Sequence, residues 1–552
     1  MKRNKIALAS AAFLAAGAIA LAGCSSGSSP EPTDSADGNI DPNAIISASG
    51  SEPENPLIPT NTNEVGGGKI LDSIFAGLAY YDGDGKLVKD MADKIDVTGP
   101  DELTITLKKG QKFTDGTEVK ADNFIKAWNY GAQLSNKQLN QSWFADIEGF
   151  SADADSELSG LAKKDDYTFT IKLTSPVAAD FATRLGYSAF YPLPDVAFDD
   201  MAKFGENPIG NGPYMLAKEG AWQHDVQIDL VKNPDYKGSR KLSNGGLTLV
   251  FYTSYDAAYA DLLGGNLDVI DSIPDASIAT FQSDLGDRAV NQPAAIFQSF
   301  TIGEWLPHFS GKEGELRRAA ISMAIDRESI TKTIFNGTRV PATDFTSPAL
   351  DGYQKSLKGG DVLKFDATEA KKLWAEADKI SPWEGKFEIA YNANGPHQAW
   401  VEAVANSLKN NLGIDAGPVS YVDFATLRAA INDKTADGQR TFKTAARSGW
   451  QADYPGVYNF LFPLYTTGAS SNDGDYTNPD VDKLLAEGAA ATSVDEANKK
   501  YTEAQEILIK DLPAIPLWYQ NSIGGFGESV HNVKFGWNSV PLFEEITKDK
   551  TK

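Results

Sequence analysis

The sequence predicts a multi-domain α/β protein. Two observations carry this reading. Short runs of alternating apolar and polar residues recur between longer stretches with helical spacing, and prolines punctuate the connections. A third observation bounds it: 552 residues, 41% hydrophobic and 23% charged, are ordinary for a soluble globular chain with two or three cores.

In chain order, the first thirty residues stand apart. "MKRNKIALASAAFLAAGAIALAGCSSGSSP" sets three basic residues before an uncharged Ala/Leu/Ile stretch and then small residues, which is the layout of a secretory signal. Length alone would also suit a membrane-spanning helix. The ending favours the signal, because "LAGC" resembles the lipobox of bacterial lipoproteins, where cleavage leaves the cysteine first and lipid-modified. Cys24 is the only cysteine, so it has no disulfide partner within the chain. The following "SSGSSPEPTDSADGNIDP" buries too little apolar area to order itself. Residues 1–23 are therefore expected to be a lipoprotein signal peptide and 24–42 a flexible tether. The mature chain is expected at the extracytoplasmic face of a bacterial cell membrane, lipid-anchored through Cys24.

From about residue 43 the composition is globular, without low-complexity stretches or repeats. Alternation predicts strands in "LTITL" (103–107), "YTFTIKL" (167–173), "VQIDL" (226–230) and "LTLVFY" (247–252). "HQAWVEAVANSLKNNLG" puts Trp400, Val401, Val404 and Leu408 on one helix face and ends at Gly413, a suitable C-cap. "LRRAAISMAIDRESITKTIF" and "SVDEANKKYTEAQEILIKD" show the same spacing.

Charge excludes some partners. Against 51 basic residues stand 75 acidic ones, a net charge of -24 and a pI near 4.6. Such a field repels phosphate backbones and anionic headgroups, so nucleic acid is not an expected partner, whereas cationic ligands are favoured.

Catalytic signatures are scarce. "GCSSG" (23–27) matches a nucleophile-elbow pattern but lies in the tether, not between a strand and a helix. "GGGKI" (66–70) lacks the spacing of a phosphate loop and reads as a plain loop. "DGDGKLVKD" (82–90) begins like a calcium loop, but Lys86 replaces an oxygen ligand, so a turn is expected. His224, His308, His397 and His531 have no second ligand at metal spacing, so no metal and no cofactor are predicted. The paired acids Asp165-Asp166 and Asp199-Asp200 read as solvated turns. Aromatic rings near Gly and Asn, as in "YPLPDVAF", "NGPYML" and "SGWQADYPGVYNFLFPLY", suit either core or the wall of a ligand cleft. In "AARSGWQADYP" (445–455), Arg447 and Asp453 flank Trp450. Charges in such surroundings need partners, either each other or a ligand.

Several segments resemble, in order, the family-5 extracellular solute-binding proteins, which include oligopeptide- and dipeptide-binding lipoproteins of ABC importers. They are "LTITLKKGQKFTDGTEVKADNFIKAW" (103–128), "NPIGNGPYML" (207–216), "LVKNPDYKG" (230–238), "GGNLDVID" (264–271), "LRRAAISMAIDRESI" (316–330), "GWQADYP" (449–455) and "DLPAIPLWY" (511–519). The resemblance implies the periplasmic-binding-protein-like type II fold, two lobes with a hinge plus an extra domain inserted in the first lobe. Mapped here, lobe 1 would take 43–85, 204–300 and 525–552, the extra domain 86–203, and lobe 2 301–524.

It also implies a site. Asp453 would hold a peptide's N-terminal ammonium, Arg447 its C-terminal carboxylate, and His397, in "YNANGPH", the carboxylate of longer peptides. Gly449 and Trp450 belong to the same motif. The implied protein is not an enzyme but a monomeric receptor that delivers peptides to a permease and its ATPase subunits. An oligosaccharide or metal-chelate binder on the same fold is the alternative. Two departures bear on ligand class: the acidic residue that oligopeptide members carry in lobe 1 falls near Gly67 in "EVGGGKI", and "DYPGV" replaces the commoner "DYPDP".

Overall fold

A mixed sheet of twelve strands runs through the protein. In this computed structural model, residues 39–550 are described, apart from 394–396, 423 and 470; Cys24 and the signal peptide lie outside the described residues. At the centre of the sheet two 13-residue strands, Ala289–Thr301 and Ala514–Phe526, pair antiparallel from Ala289↔Gly525 to Thr301↔Ala514. The register shifts between Pro293 and Phe297, where proline cannot donate to the ladder.

On one side follow Ala445–Gln451, Lys386–Asn392 and Asp415–Tyr421; on the other Val269–Ile270, Ile45–Gly50, Gly246–Phe251, Gln227–Lys232 and Tyr214–Leu216. Parallel pairing occurs within each half: Ile45–Gly50 with Gly246–Phe251, and Lys386–Asn392 with both of its neighbours. Parallel strands bring their carboxyl ends to one edge, where ligand-binding loops gather.

The buried apolar residues fall into two large clusters. One runs from Ile46 to Val290 and resumes with Val530 to Ile546, and the other runs from Ala295 to Tyr519 and adds Trp537. The first also serves a separate four-stranded antiparallel sheet: Ala92–Gly99, Glu102–Leu107, Thr168–Lys172 and Leu161–Asp165. Alternation works there as expected. Leu103, Ile105, Phe169 and Ile171 are fully buried against Phe124 and Trp128 of the helix Ala121–Ala132.

The other predicted strands form as Gln227–Lys232 and Gly246–Phe251. The helix Gln398–Leu412 buries Trp400, Val401, Val404 and Leu408 and ends at Gly413, whose φ of 76° is left-handed. Ser493 caps Val494–Asp511 by accepting from the Glu496 amide. "DGDGKLVKD" makes a hairpin turn in which Asp82 Oδ1 accepts from the amides of Asp84 and Lys86.

Two local expectations are corrected. The stretch 316–335 is not one helix but parts of two, Gly311–Met323 and Arg327–Thr333. Asp326 caps the second by accepting from the Ser329 amide, and buried Arg327 turns back to donate to the carbonyls of Ser322, Leu363 and Pro516. "GGGKI" is not a loop but lies within the helix Val65–Ile74. Two of its glycines are there for proximity: a Cβ at Gly66 would stand 2.4 Å from Ser51 Oγ, and one at Gly67 would stand 2.4 Å from Glu64 Oε1. The acid pairs are solvent-side groups, with Asp166 bridging Lys120 and Lys163 and Asp200 capping Met201–Glu206.

Candidate ligand-binding cleft

The strand Ala445–Gln451 lies against a central strand, with Arg447 opposite Phe300 and Trp450 opposite Phe297. Beyond its carboxyl end the chain turns, and Gln451, Ala452 and Asp453 line a cavity of about 520 Å³. Asn459, from the next helix Val457–Tyr465, fixes this turn. Its Oδ1 accepts from Trp450 Nε1 at 3.1 Å and from the Asp453 amide at 3.0 Å, while its Nδ2 donates to Asp453 Oδ2 at 2.9 Å. One carboxylate oxygen is thereby held and the other is left available. Burial pushes the Asp453 carboxyl above its ordinary value, and the Asn459 bond opposes that. No cation lies within ion-pair distance of Asp453 among the described residues.

The facing wall comes from the first core. Glu64 caps the helix Val65–Ile74 through its bond to the Gly67 amide (2.7 Å), and burial raises its carboxyl. Asp72, one helical turn on from Gly68, accepts from Tyr191 Oη at 2.8 Å and is pushed up to about 6 by burial. Tyr187 stacks on Trp143 with ring centroids 4.0 Å apart and feels both burial and the Asp453 charge, which raise its hydroxyl. The two cations of the lining are already engaged. Lys69 pairs with Asp271, and Arg240 meets Asp90 at 3.3 Å and donates to the Phe75 carbonyl at 2.8 Å. The cavity therefore presents carboxylates and tyrosines to whatever enters, a setting for a positive charge.

Arg447 and His397 do not line this cavity. The Nε of Arg447 donates to Asn392 Oδ1 at 2.9 Å, and its guanidinium lies 4.6 Å from the Phe424 ring centre. No carboxylate stands within 4 Å of it among the described residues; Asp473, ion-paired with Arg428, attracts it from further away. Burial, and then repulsion from Arg428, lower the Arg447 pKa. His397 opens the helix that follows Asn392, and Trp400 Nε1 donates to its Nδ1 at 3.1 Å. Burial first, and Arg447 second, lower the imidazole to about 4.

Arg447 and Asp453 thus do not pair with each other. Trp450 is turned toward Asn459 and the second core rather than the cavity, and Gly449 gives room to the Phe297 carbonyl, 3.2 Å from where a Cβ would sit. Sequence reasoning missed Asn459, although an amide inside the apolar run "VYNFLFPLY" is itself a signal. It also missed Glu64, Asp72 and Tyr187, which lie far from Asp453 in the chain.

A sequence model of the bacterial extracellular solute-binding proteins, family 5 (middle region), matches residues 86–472. The chain belongs to this family. Family-5 solute-binding proteins are binding proteins, not enzymes, and they work outside the cytoplasm. Among curated relatives, the periplasmic oligopeptide-binding protein OppA of Haemophilus influenzae is 27% identical over 86% of this chain and 87% of its own. Among solved structures, the unliganded open form of the periplasmic murein tripeptide-binding protein MppA superposes with a TM-score of 0.81, at 21% identity over 93% of this chain and 99% of that one. The Haemophilus influenzae OppA complex with the peptide RPPGFSPFR gives 0.61 at 23% identity, over 93% and 100%. The two-lobed type II fold of this family accounts for the two cores joined by a pair of long strands.

Proposed function

We propose that this family-5 protein is a membrane-tethered receptor that captures peptides outside the cell and hands them to an ABC permease and its ATPase subunits. One observation carries the peptide reading. Arg447 and Asp453, opposite charges on one strand and the turn after it, are each held by an amide, Asn392 or Asn459, and neither makes a direct ion pair among the described residues. A zwitterionic ligand supplies both missing charges, the ammonium to Asp453 and the carboxylate to Arg447, at sites where an unpaired charge is costly. The names of the relatives support the same class.

In this reading Cys24 is the lipid anchor, the receptor acts as a monomer, and lobe 1 (43–85, 204–300, 525–552), the extra domain (86–203) and lobe 2 (301–524) are its working parts. The two apolar clusters and the separate four-stranded sheet support that division. Ligand contacts from both lobes favour closure, and the permease recognises the closed form.

Mass spectrometry of material released from the purified protein tests the class. A mixture of short peptides is expected. Recovery of sugars or metal chelates instead, with stabilisation by those and not by peptides in a thermal-shift panel, would sink the peptide reading. A true ligand at 100 times its Kd adds about 2.7 kcal/mol.

A further inference from the structure

We propose that Trp400 locks His397 in its neutral Nε2–H tautomer, so that the imidazole meets the end of a bound ligand as an uncharged donor and takes an amide carbonyl nearly as well as a carboxylate. This rests on the reading that the ligand is a peptide and that longer peptides reach His397.

The argument is one of donor and acceptor. An indole N–H can only donate. Trp400 Nε1 points at His397 Nδ1 from 3.1 Å, so that nitrogen must carry a lone pair, and the single proton of the neutral ring sits on Nε2. Protonation would set two N–H groups against each other across the same gap.

Trp400 is not free to yield. It is 2% exposed, stands edge-on to both the imidazole (ring centroids 6.1 Å apart) and Trp518 (5.5 Å), and belongs to the buried face of the helix Gln398–Leu412. The charged groups around the imidazole push the same way. Arg447, from the strand Ala445–Gln451, repels a proton, and no carboxylate pairs with His397 among the described residues; Glu402, one turn along the helix, is bonded to Gln398. His397 Nε2 has no hydrogen-bond partner among the described residues, which leaves its N–H for a ligand.

The consequence is a difference in specificity along the cleft. Arg447 is a permanent cation and distinguishes a carboxylate from an amide. A neutral imidazole does so weakly, because the charge-assisted part of the bond is missing on its side. Trp400 is therefore a positioning residue, acting on ligand only through His397.

Nitrogen-15 NMR of the histidine-labelled protein, with His397→Gln to assign the signal, reads the tautomer directly. The expected result is one proton on Nε2 at every pH from about 8 down to about 5. A proton on Nδ1, or a doubly protonated ring at pH 6, overturns the proposal.

A binding series then tests the consequence, using peptides of increasing length as free acids and as C-terminal amides. Lengths weakened by His397→Ala are those that reach it. For them the acid-to-amide affinity ratio at pH 5.5 is expected within about threefold in the native protein. In Trp400→Phe the indole donor is gone while burial and Arg447 still hold the ring neutral, so the ratio is expected to stay within about threefold and the nitrogen-15 spectrum to show the proton shared between Nδ1 and Nε2. A ratio already large in the native protein overturns the neutral-donor claim, as does the absence of any peptide length that senses His397→Ala. If no peptide binds at all, the receptor reading fails while the NMR result still decides the tautomer. Should Trp400→Phe not fold, the native protein's spectrum and ratio decide alone.

Discussion

At the scale of single residues, neutral amides hold two opposite charges in place. Asn459 grips one oxygen of Asp453 and leaves the other available, and Asn392 grips Nε of Arg447 and leaves the remaining guanidinium donors. Removing one partner of an enclosed carboxylate–ammonium pair costs about 2 to 5 kcal/mol. Asp453→Asn and N-acetylation of the peptide remove the two sides of that pair, so each is expected to weaken binding and both together little more than either alone. Calorimetry on the four combinations measures this coupling; a value near zero would make Asp453 a structural residue. Arg447→Ala is expected to weaken short free-acid peptides by about 1.5 to 3 kcal/mol and their C-terminal amides much less. Equal losses would reassign Arg447 to scaffold.

Asp72 gives a pH signature. Its carboxyl is raised from 3.8 to about 6, so the folded protein binds that proton more tightly than the unfolded chain does. The group is therefore neutral toward stability below about pH 3.8, and its ionisation costs progressively more up to about pH 6. Above that the cost is constant, at about 3 kcal/mol or less. Asp72→Asn, which keeps an acceptor for Tyr191, should raise the melting temperature at pH 8 and leave it unchanged near pH 4. A loss at pH 8 would contradict this account.

At the scale of elements, local pattern carried much of the structure and proximity carried the rest. Alternation in "LTITL" and the 3.6 spacing in "HQAWVEAVANSLKNNLG" are properties of a strand or helix with one buried face, and they can be read without knowing the neighbour. The glycine triplet could not be read that way. Positions 66 and 67 of the helix Val65–Ile74 are glycine because Ser51, Thr62 and Glu64 crowd the space a side chain would fill. Their helix position makes a sharp test. Gly→Ala inside a helix normally stabilises by about 0.5 to 1 kcal/mol, and Gly68, with nothing within 4 Å, should behave so. Gly67→Ala places a methyl 2.4 Å from the capping oxygen of Glu64 and 2.7 Å from Thr62 Cγ2, and should instead destabilise by about 1 to 2 kcal/mol. Urea denaturation of the two variants gives opposite shifts if close packing is the reason for the glycines. The break at Asp326 is a lesson of another kind: the apolar spacing continues across 316–335, but the caps divide it.

At the scale of the whole molecule, two cores meet along a pair of strands, and the cavity between them is lined from both. Small-angle scattering should show the radius of gyration fall when a bound peptide draws the lobes together, and Asp453→Asn should need a higher peptide concentration for the same fall. An unchanged radius at saturation would remove closure from the mechanism. The ordered motifs of the family, the alternating strands and the one-sided helix face were determined by the sequence alone, because each is a run of neighbouring residues. Only the tertiary structure decided that Arg447 and Asp453 stand apart, that Asn459 and Trp400 govern the groups beside them, and that Glu64, Asp72 and Tyr187 share the cavity with Asp453. Those relations join residues up to hundreds of positions apart, and they exist only once burial has selected which distant side chains meet.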